Sequence, residues 1–183
     1  MKKKWYVVLA FLAIIALFTS NFALGKVKTL MQGDRPEKIE DARLLLDKII
    51  DHIDKDDNGL SASGGKLYNS ELGLPLFEIV GLSEIRHFDN VDYEDGTALL
   101  PTDNVDNPKM IVIAKGKTKE IGNELIGAMA KVESDQFANF ANGDIVIEYL
   151  LDEGKTVKQG YFVLYAVWDN VDDLVKIFQK YVQ

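Results

Sequence analysis

The chain of 183 residues contains no cysteine, and this absence excludes several classes of protein. Without thiols there is no disulfide scaffold, no thiol nucleophile and no thiolate metal site. An anchor on an acylated cysteine is excluded for the same reason. The core of such a protein must stabilise the fold without covalent cross-links.

Basic residues are scarce as well. Lysine and arginine number 21 against 29 acidic residues, which gives a formal net charge of −8. Three of the lysines are Lys2, Lys3 and Lys4, and the chain after residue 25 carries a net charge of −11. Nucleic-acid phosphates require a basic surface, so this charge argues against a nucleic-acid partner. It argues equally against adsorption to anionic lipid headgroups and indicates a solvated acidic surface.

Sequence motifs for catalysis are also missing. The two histidines, His52 and His87, belong to no HExxH motif and to no pair at i and i+4. We expect both to be hydrogen-bonded or solvent-exposed, and neither to act as a general base. The turn 61–65 is not a nucleophile elbow, and no glycine-rich phosphate loop occurs. The sequence therefore implies no cofactor.

What the sequence does contain is a basic and apolar N-terminus. Fourteen apolar residues, Trp5 to Phe18, follow the three lysines, and small residues stand at Ala23 and Gly25. A basic start, an apolar centre and a small-residue cleavage site are typical of a secretory signal. We therefore expect the protein to be extracytoplasmic.

Two outcomes for this leader remain open. Fourteen residues of helix rise about 21 Å, which is short of a hydrocarbon core of about 30 Å and favours cleavage after Gly25. Counted as residues 5–24, however, the segment is long enough to be retained as a transmembrane helix. The predicted organisation is a signal peptide or membrane anchor over 1–25, a linker over 26–33 and one domain over 34–183. The membrane is contacted only through the N-terminal segment.

Hydrophobic periodicity predicts the secondary structure of that domain. Apolar residues at spacings of three and four predict helices over 36–54 and 119–141, and Asn170 is predicted to cap a last helix. Residues 110–115 and 161–168 are predicted strands. Three further segments are less regular: 66–82 fits a short helix or a buried turn, 85–93 fits a strand, and 94–108 fits a loop.

These elements predict an α+β fold. We expect a small mixed or antiparallel sheet of three to five strands with helices packed on one face. If strands 110–115 and 161–168 are parallel neighbours, helix 119–141 is a right-handed crossover between them. The strand 161–168 is predicted to bury both faces, although an exposed face would let Tyr161 and Tyr165 stack on a ligand.

One segment resembles the first half of a calcium-binding loop. Its weak candidate ligands occupy the first, third, fifth and seventh positions: Asp54, Asp56, Asn58 and Leu60. Gly59 fits the sixth position, but Gly65 stands where the bidentate glutamate is required and Ser61 where an apolar residue is usual. The alternative is an ordinary polar helix exit, so a metal site remains unknown.

Carboxylates are numerous, notably Asp89, Asp92, Glu94 and Asp95. A hydrolase that uses two of them is an alternative, but acid pairs carry little information in so acidic a chain. No catalytic set is assembled in the sequence. The protein is therefore expected to be a non-enzymatic binding or accessory module, with a carboxylate-based envelope hydrolase and a calcium-modulated module as alternatives. The expected partner is an unknown envelope protein or cell-wall component.

From about Gly73 onward the chain resembles an uncharacterised bacterial family of exported and lipid-anchored proteins, domain of unknown function 4358. The resemblance rests on three segments: the turn 72–74, the strand 110–115 with its following helix, and 158–163 with its Gly-Tyr strand entry. Members with a lipid anchor carry a cysteine that this chain lacks. The family has no assigned activity, so the resemblance implies fold and compartment and no site residues.

Overall fold

The computed structural model describes residues 38–56, 59–102 and 107–182. Seven strands and four helices are present in this part of the chain. The helices are α1 (Ala42–Asp56), α2 (Ile121–Phe140), α3 (Ile145–Asp152) and α4 (Val171–Tyr181). The strands are β1 (Leu60–Ser63), β2 (Lys66–Asn69), β3 (Pro75–Gly81), β4 (Tyr93–Pro101), β5 (Met110–Gly116), β6 (Lys155–Gln159) and β7 (Phe162–Val167).

The strands form one antiparallel sheet in the order β1-β2-β3-β4-β5-β7-β6. The α+β class is therefore confirmed, but the expected sheet of three to five strands was too small. Four missed strands, β1 to β4, form a meander that leads into β5. The alternation of apolar and polar residues that would identify these strands is interrupted by Pro75, by register shifts in β2 and β4, and by the polar residues that begin β4.

Helices cover both faces of the sheet, which corrects the prediction of one covered face. The core on one face joins α1 and α4 to the sheet, whereas the other joins α2, α3 and the segment 82–88 to it. Two covered faces require central strands that are apolar throughout. All six residues of β7 are buried, and so are the first five of β5.

The alternation along β7 assigns each side chain to one layer. Phe162, Leu164 and Ala166 belong to the α1–α4 core, and Val163 and Tyr165 to the α2–α3 core. The prediction that this strand buries both faces is confirmed. Burial raises the pKa of the Tyr165 phenol well above its ordinary value.

Strands β5 and β7 are neighbours, but they run antiparallel. The condition for a right-handed crossover helix, a parallel pairing of these two strands, is therefore not met. Between them the chain passes through α2, α3 and β6, and the tight turn at Gly160 (φ +60°) then reverses it into β7. Strand β6, which forms this hairpin with β7, was not predicted because the sequence 155–159 is short and mostly polar.

Helix α1 begins at Ala42, six residues later than the predicted start at 36. Asp41 caps it, since its Oδ1 accepts a hydrogen bond from the Leu44 amide at 2.9 Å. The Ala42 amide donates to Asp95 Oδ2 of β4 at 2.7 Å and ties the helix end to the sheet.

The expectation of a transmembrane helix is also corrected. Across 38–56, 59–102 and 107–182, every helix is too short or too polar to cross a membrane. The apolar segment 5–24, on which that expectation was placed, lies outside these ranges.

The contact between Gly96 and Leu82 predicts the effect of an added methyl group. An alanine Cβ at position 96 would overlap the buried Leu82 side chain, so Gly96→Ala should destabilise the fold by about 1–3 kcal/mol. Gly127→Ala is the matched control. Nothing lies within 4 Å of the added methyl group in α2, and the change should stabilise by about 1 kcal/mol. Urea denaturation of the full chain measures both; equal midpoints would contradict the close approach at Gly96.

Candidate functional site

The segment between β3 and β4 forms one wall of the most site-like cleft. After the short 3-10 turn Leu82–Glu84, the side chains of Leu82, Ile85 and Phe88 are buried against the α2–α3 core. Their spacing of three anchors the segment to the sheet at three points. Between these anchors, the side chains of Arg86 and His87 remain partly or fully exposed.

Helix α2 forms the opposite wall. Between the two walls lies a cavity of about 370 Å³, within the range of roughly 300–1,000 Å³ that is usual for small-molecule sites. Its apolar lining comes from the segment, from β4 and β5, and from α2: Ile85, Leu100, Met110, Val132 and Phe140. Its polar lining consists of Glu84, Arg86, Thr102, Asn107, Asp135, Gln136 and Asn139. An apolar floor with a few polar groups suits an organic ligand.

Gln136 provides the least satisfied polar group in this cavity. Its Oε1 is buried and has no hydrogen-bond partner within the described ranges. An unpaired buried acceptor costs about 1–3 kcal/mol, so native proteins rarely leave one without a purpose.

His87 connects the two walls. Its Nε2 lies 2.9 Å from Asp135 Oδ2 of α2, and the two side chains are 28% and 43% exposed. The His87 backbone has a φ of +80°, which is rare for a residue with a Cβ and costs of order 1–3 kcal/mol. Strain of this kind persists only where surrounding contacts hold it, and it occurs preferentially at ligand sites.

A second cavity of about 550 Å³ lies on the other side of this histidine. It shares Arg86 with the first cavity and is lined also by Asp89, Asn90, Glu124 and Lys131. About half of its lining is polar, with side chains of both charges, and the rest comes from Val91, Gly127 and Ala128. The first cavity therefore offers the better site for an apolar group, and the second is open to water-soluble groups.

A third cavity, of about 270 Å³, lies beside Lys115, Lys117 and Tyr161. Lys115 Nζ donates a hydrogen bond to Glu94 Oε1 at 2.7 Å. That bond raises the pKa of Lys115, in opposition to partial burial. Lys117 pairs in the same way with Asp92. These lysines are matched by carboxylates, so the cavity offers little unpaired charge to a ligand.

Most of the carboxylates considered for hydrolysis already have partners in the fold. Asp92 and Glu94 hold the two lysines, and Asp95 accepts from the amides of Ala42 and Gly96. Asp89 lines the second cavity. Three of the four are thus engaged in contacts that support the fold.

The candidate calcium ligands are only partly covered by the structure. Leu60 begins β1, and the helical backbone of α1 extends through Asp54 and Asp56. Asn58 and the side chains of 54–56 lie outside the described part. Among the side chains that are described, no group of three or more histidine, aspartate or glutamate residues is arranged to hold a metal ion.

The tyrosines of the aromatic strand have different environments. Tyr165 is 1% exposed in the core, and Tyr161 is 46% exposed in the turn before β7. The two do not form a common stacking surface. His52 lies on α1 and is half-buried.

No family model, no curated protein and no solved structure matches this chain. The support for the candidate site is therefore its geometry alone. Sequence reasoning missed the cleft, although one signal for it exists. The buried stripe of α2 passes through Leu125, Met129 and Val132 toward Phe140, and Gln136 places an amide on that stripe.

The strain at His87 leads to a stability prediction. His87→Ala loses the contact with Asp135 and keeps a Cβ at positive φ, whereas His87→Gly loses the contact but relieves the strain. His87→Gly should therefore be more stable than His87→Ala by about 1 kcal/mol. Urea denaturation compares the two; an alanine variant as stable as the glycine variant would exclude the left-handed backbone.

The ion pair between Lys115 and Glu94 predicts a pH dependence. The folded-state pKa of Lys115 is raised above its ordinary value of 10.5, so the pair stabilises the fold below that pH. The stabilisation is lost as pH rises through the folded-state value. The free energy of unfolding of the wild type should exceed that of Glu94→Gln by about 0.5–1 kcal/mol from pH 7 to pH 9. This difference should shrink above about pH 10.5. A difference that does not change up to pH 11.5 would contradict the pairing.

Proposed function

We propose that the domain is a non-enzymatic binding module of the cell envelope, and that the cleft between α2 and the segment 82–92 takes a small ligand. The observation that carries this proposal is a cavity of about 370 Å³ with an apolar floor and a few polar side chains around it. Burial of an apolar ligand surface supplies affinity, and the few polar groups supply orientation.

The contact between His87 and Asp135 supports a binding role. A strained residue tied to the facing helix holds the two walls in a fixed relation before a ligand arrives. A cleft that is already ordered loses less conformational entropy on binding. The ligand is proposed to belong to an envelope protein or a cell-wall component, in keeping with the expected partner.

We also propose that the domain is exported, because its N-terminus resembles a secretory signal. Lys2, Lys3 and Lys4 precede the apolar run, and cleavage after Gly25 would release the domain outside the cytoplasm. The resemblance to domain of unknown function 4358 is likewise a proposal from the sequence. It agrees with a location outside the cytoplasm.

The two alternatives have less support. The hydrolase requires a carboxylate pair, and Asp92, Glu94 and Asp95 are engaged in contacts with lysines and backbone amides. The calcium-modulated module rests on residues 54–60, and the side chains of its candidate ligands Asp54, Asp56 and Asn58 lie outside the described part of the chain.

Blocking the cleft tests the binding proposal. Asn139 is exposed and lines the cavity, so Asn139→Trp should preserve folding and fill the entrance. We expect 2-phenylethanol, a neutral probe with an apolar ring, to bind the full-length wild type and to bind this variant at least tenfold more weakly. Ala138→Trp is the control, because Ala138 is exposed on the same helix but does not line the cavity. Saturation-transfer NMR measures binding; equal binding by both variants would exclude this cleft.

A fusion tests export. Alkaline phosphatase joined to the C-terminus should be active in intact cells of a bacterial host, and replacing Ile14 and Ile15 with lysine should abolish that activity, because charge interrupts the apolar run. A fusion that is active only when folded in the cytosol of a host permissive for cytosolic disulfides would contradict export.

A further inference from the structure

Helix α3 carries more apolar surface than the core of the domain uses. Six of its eight residues are apolar, and a helix that is apolar on all sides is normally buried. Only Leu151 of α3 is fully buried, and Ile147 and Leu150 are half-buried beside it in the α2–α3 core. The opposite side of the helix is therefore apolar and exposed to solvent.

That exposed side consists of Ile145, Val146 and Tyr149, whose side chains are 82%, 76% and 66% exposed. Tyr149 follows Ile145 by four residues and Val146 by three, and these spacings place side chains next to each other on a helix. The three residues thus form one continuous patch. Single exposed apolar residues are ordinary on a protein surface, whereas a continuous patch indicates an interaction site.

Hydrogen bonds at the start of α3 fix the patch in place. Asp144 caps the helix, since its Oδ1 accepts from the amides of Val146 at 2.9 Å and Ile147 at 3.3 Å. Glu148 reaches back to the same end, where its Oε1 accepts from the Gly143 amide at 2.9 Å. A surface that is ordered in advance loses less conformational entropy when a partner binds.

The charged residues next to the patch are all acidic. Asp152 and Glu153 follow Tyr149 by three and four residues, so they lie on the same side of the helix. Neither forms an ion pair within the described ranges, and Lys155, the next cation along the chain, donates to Asp172 instead. Residues 141–154 include four carboxylates and no lysine or arginine.

This charge discriminates among the possible occupants of the patch. A second copy of the chain would bring the same carboxylates, so a contact between two α3 helices would place like charges together. Anionic lipid headgroups would be repelled in the same way. A protein helix with lysines or arginines beside an apolar stripe matches both features, because apolar burial supplies affinity and charge supplies orientation.

We propose that the exposed face of α3 docks an amphipathic, basic helix of a partner protein. Ile145, Val146 and Tyr149 pack against the apolar stripe of that helix, and Asp152 and Glu153 face its lysines or arginines. None of these five residues lines the cavity between α2 and the segment 82–92. The docking surface is therefore separate from the small-ligand cleft and goes beyond its proposed function.

A synthetic peptide is the probe for this surface. It consists of leucine and lysine over about four turns of helix, with the leucines at spacings of three and four. A second peptide has the same composition in scrambled order, so it carries the same charge without an apolar stripe. Fluorescence anisotropy with the full chain should give the amphipathic peptide about a tenfold lower dissociation constant than the scrambled one.

Variants of exposed apolar residues locate the contact. Ile145→Ser combined with Tyr149→Ser should weaken binding of the amphipathic peptide about tenfold, because the apolar patch is lost. Leu72→Ser combined with Leu74→Ser is the matched control. These leucines are 70% and 56% exposed in the turn between β2 and β3, and their loss should leave binding unchanged. Thermal denaturation confirms that each variant is folded.

Variants of exposed carboxylates test the charge. Asp152→Asn combined with Glu153→Gln should weaken binding about threefold or more, and this effect should disappear near 1 M salt, where charges are screened beyond about 3 Å. Asp51→Asn combined with Glu71→Gln removes the same net charge from exposed positions outside α3. Equal weakening by both pairs would overturn a specific role for Asp152 and Glu153.

The remaining outcomes concern the occupant. Equal binding of the amphipathic peptide by wild type and by the Ile145→Ser, Tyr149→Ser variant would overturn the docking surface. Equal binding of the two peptides would overturn the basic helix as partner. A wild-type dimer in sedimentation equilibrium that the variant lacks would then assign the face to a second copy, and phosphatidylcholine-vesicle binding that the variant lacks would assign it to a membrane. None of these results bears on the cleft, which 2-phenylethanol tests separately.

Discussion

The burial of strands β5 and β7 on both faces is the constraint on which the rest of the structure depends. Strand β7 is buried along its whole length, and β5 is buried along its first five residues. Apolar surface on two sides must be removed from water by two separate layers. Helices α1 and α4 supply one layer, and α2 and α3 supply the other.

The cleft follows from how the second layer is completed. Helix α2 packs on β5 and β7, and the segment after β3 packs beside it through Leu82, Ile85 and Phe88. A segment anchored at intervals of three residues does not fill the space against a helix continuously. The space that remains is lined by apolar side chains from the core and by the polar residues of α2 that face it, including Gln136.

The elements that sequence patterns predicted are those whose pattern is complete within one segment. Strand β5 is an unbroken apolar run, β7 alternates between two buried layers, and α2 repeats at three and four residues. Strand β4 was not predicted because its first residues include polar side chains whose partners are distant in the sequence. Glu94 pairs with Lys115, and Asp95 accepts the amide of Ala42. No local pattern contains such partners.

The candidate site was predictable only in fragments. His87 was expected to be hydrogen-bonded or solvent-exposed, and it contacts Asp135. Its left-handed backbone and its position beside the second cavity depend on how the segment packs against α2, which a linear sequence does not display. Gln136 interrupts an apolar stripe, and this is the one local feature that indicates a polar group turned toward the core side of the helix.

Native-state hydrogen exchange tests the two-layer account most directly. The amides of Ile111 to Ala114 and of Val163 to Ala166 should be the slowest to exchange, with an opening free energy equal to that of global unfolding. Amides of the edge strand β6 and of the segment 86–91 should exchange by local opening. Exchange in β5 or β7 as fast as in β6 would contradict the burial of both faces.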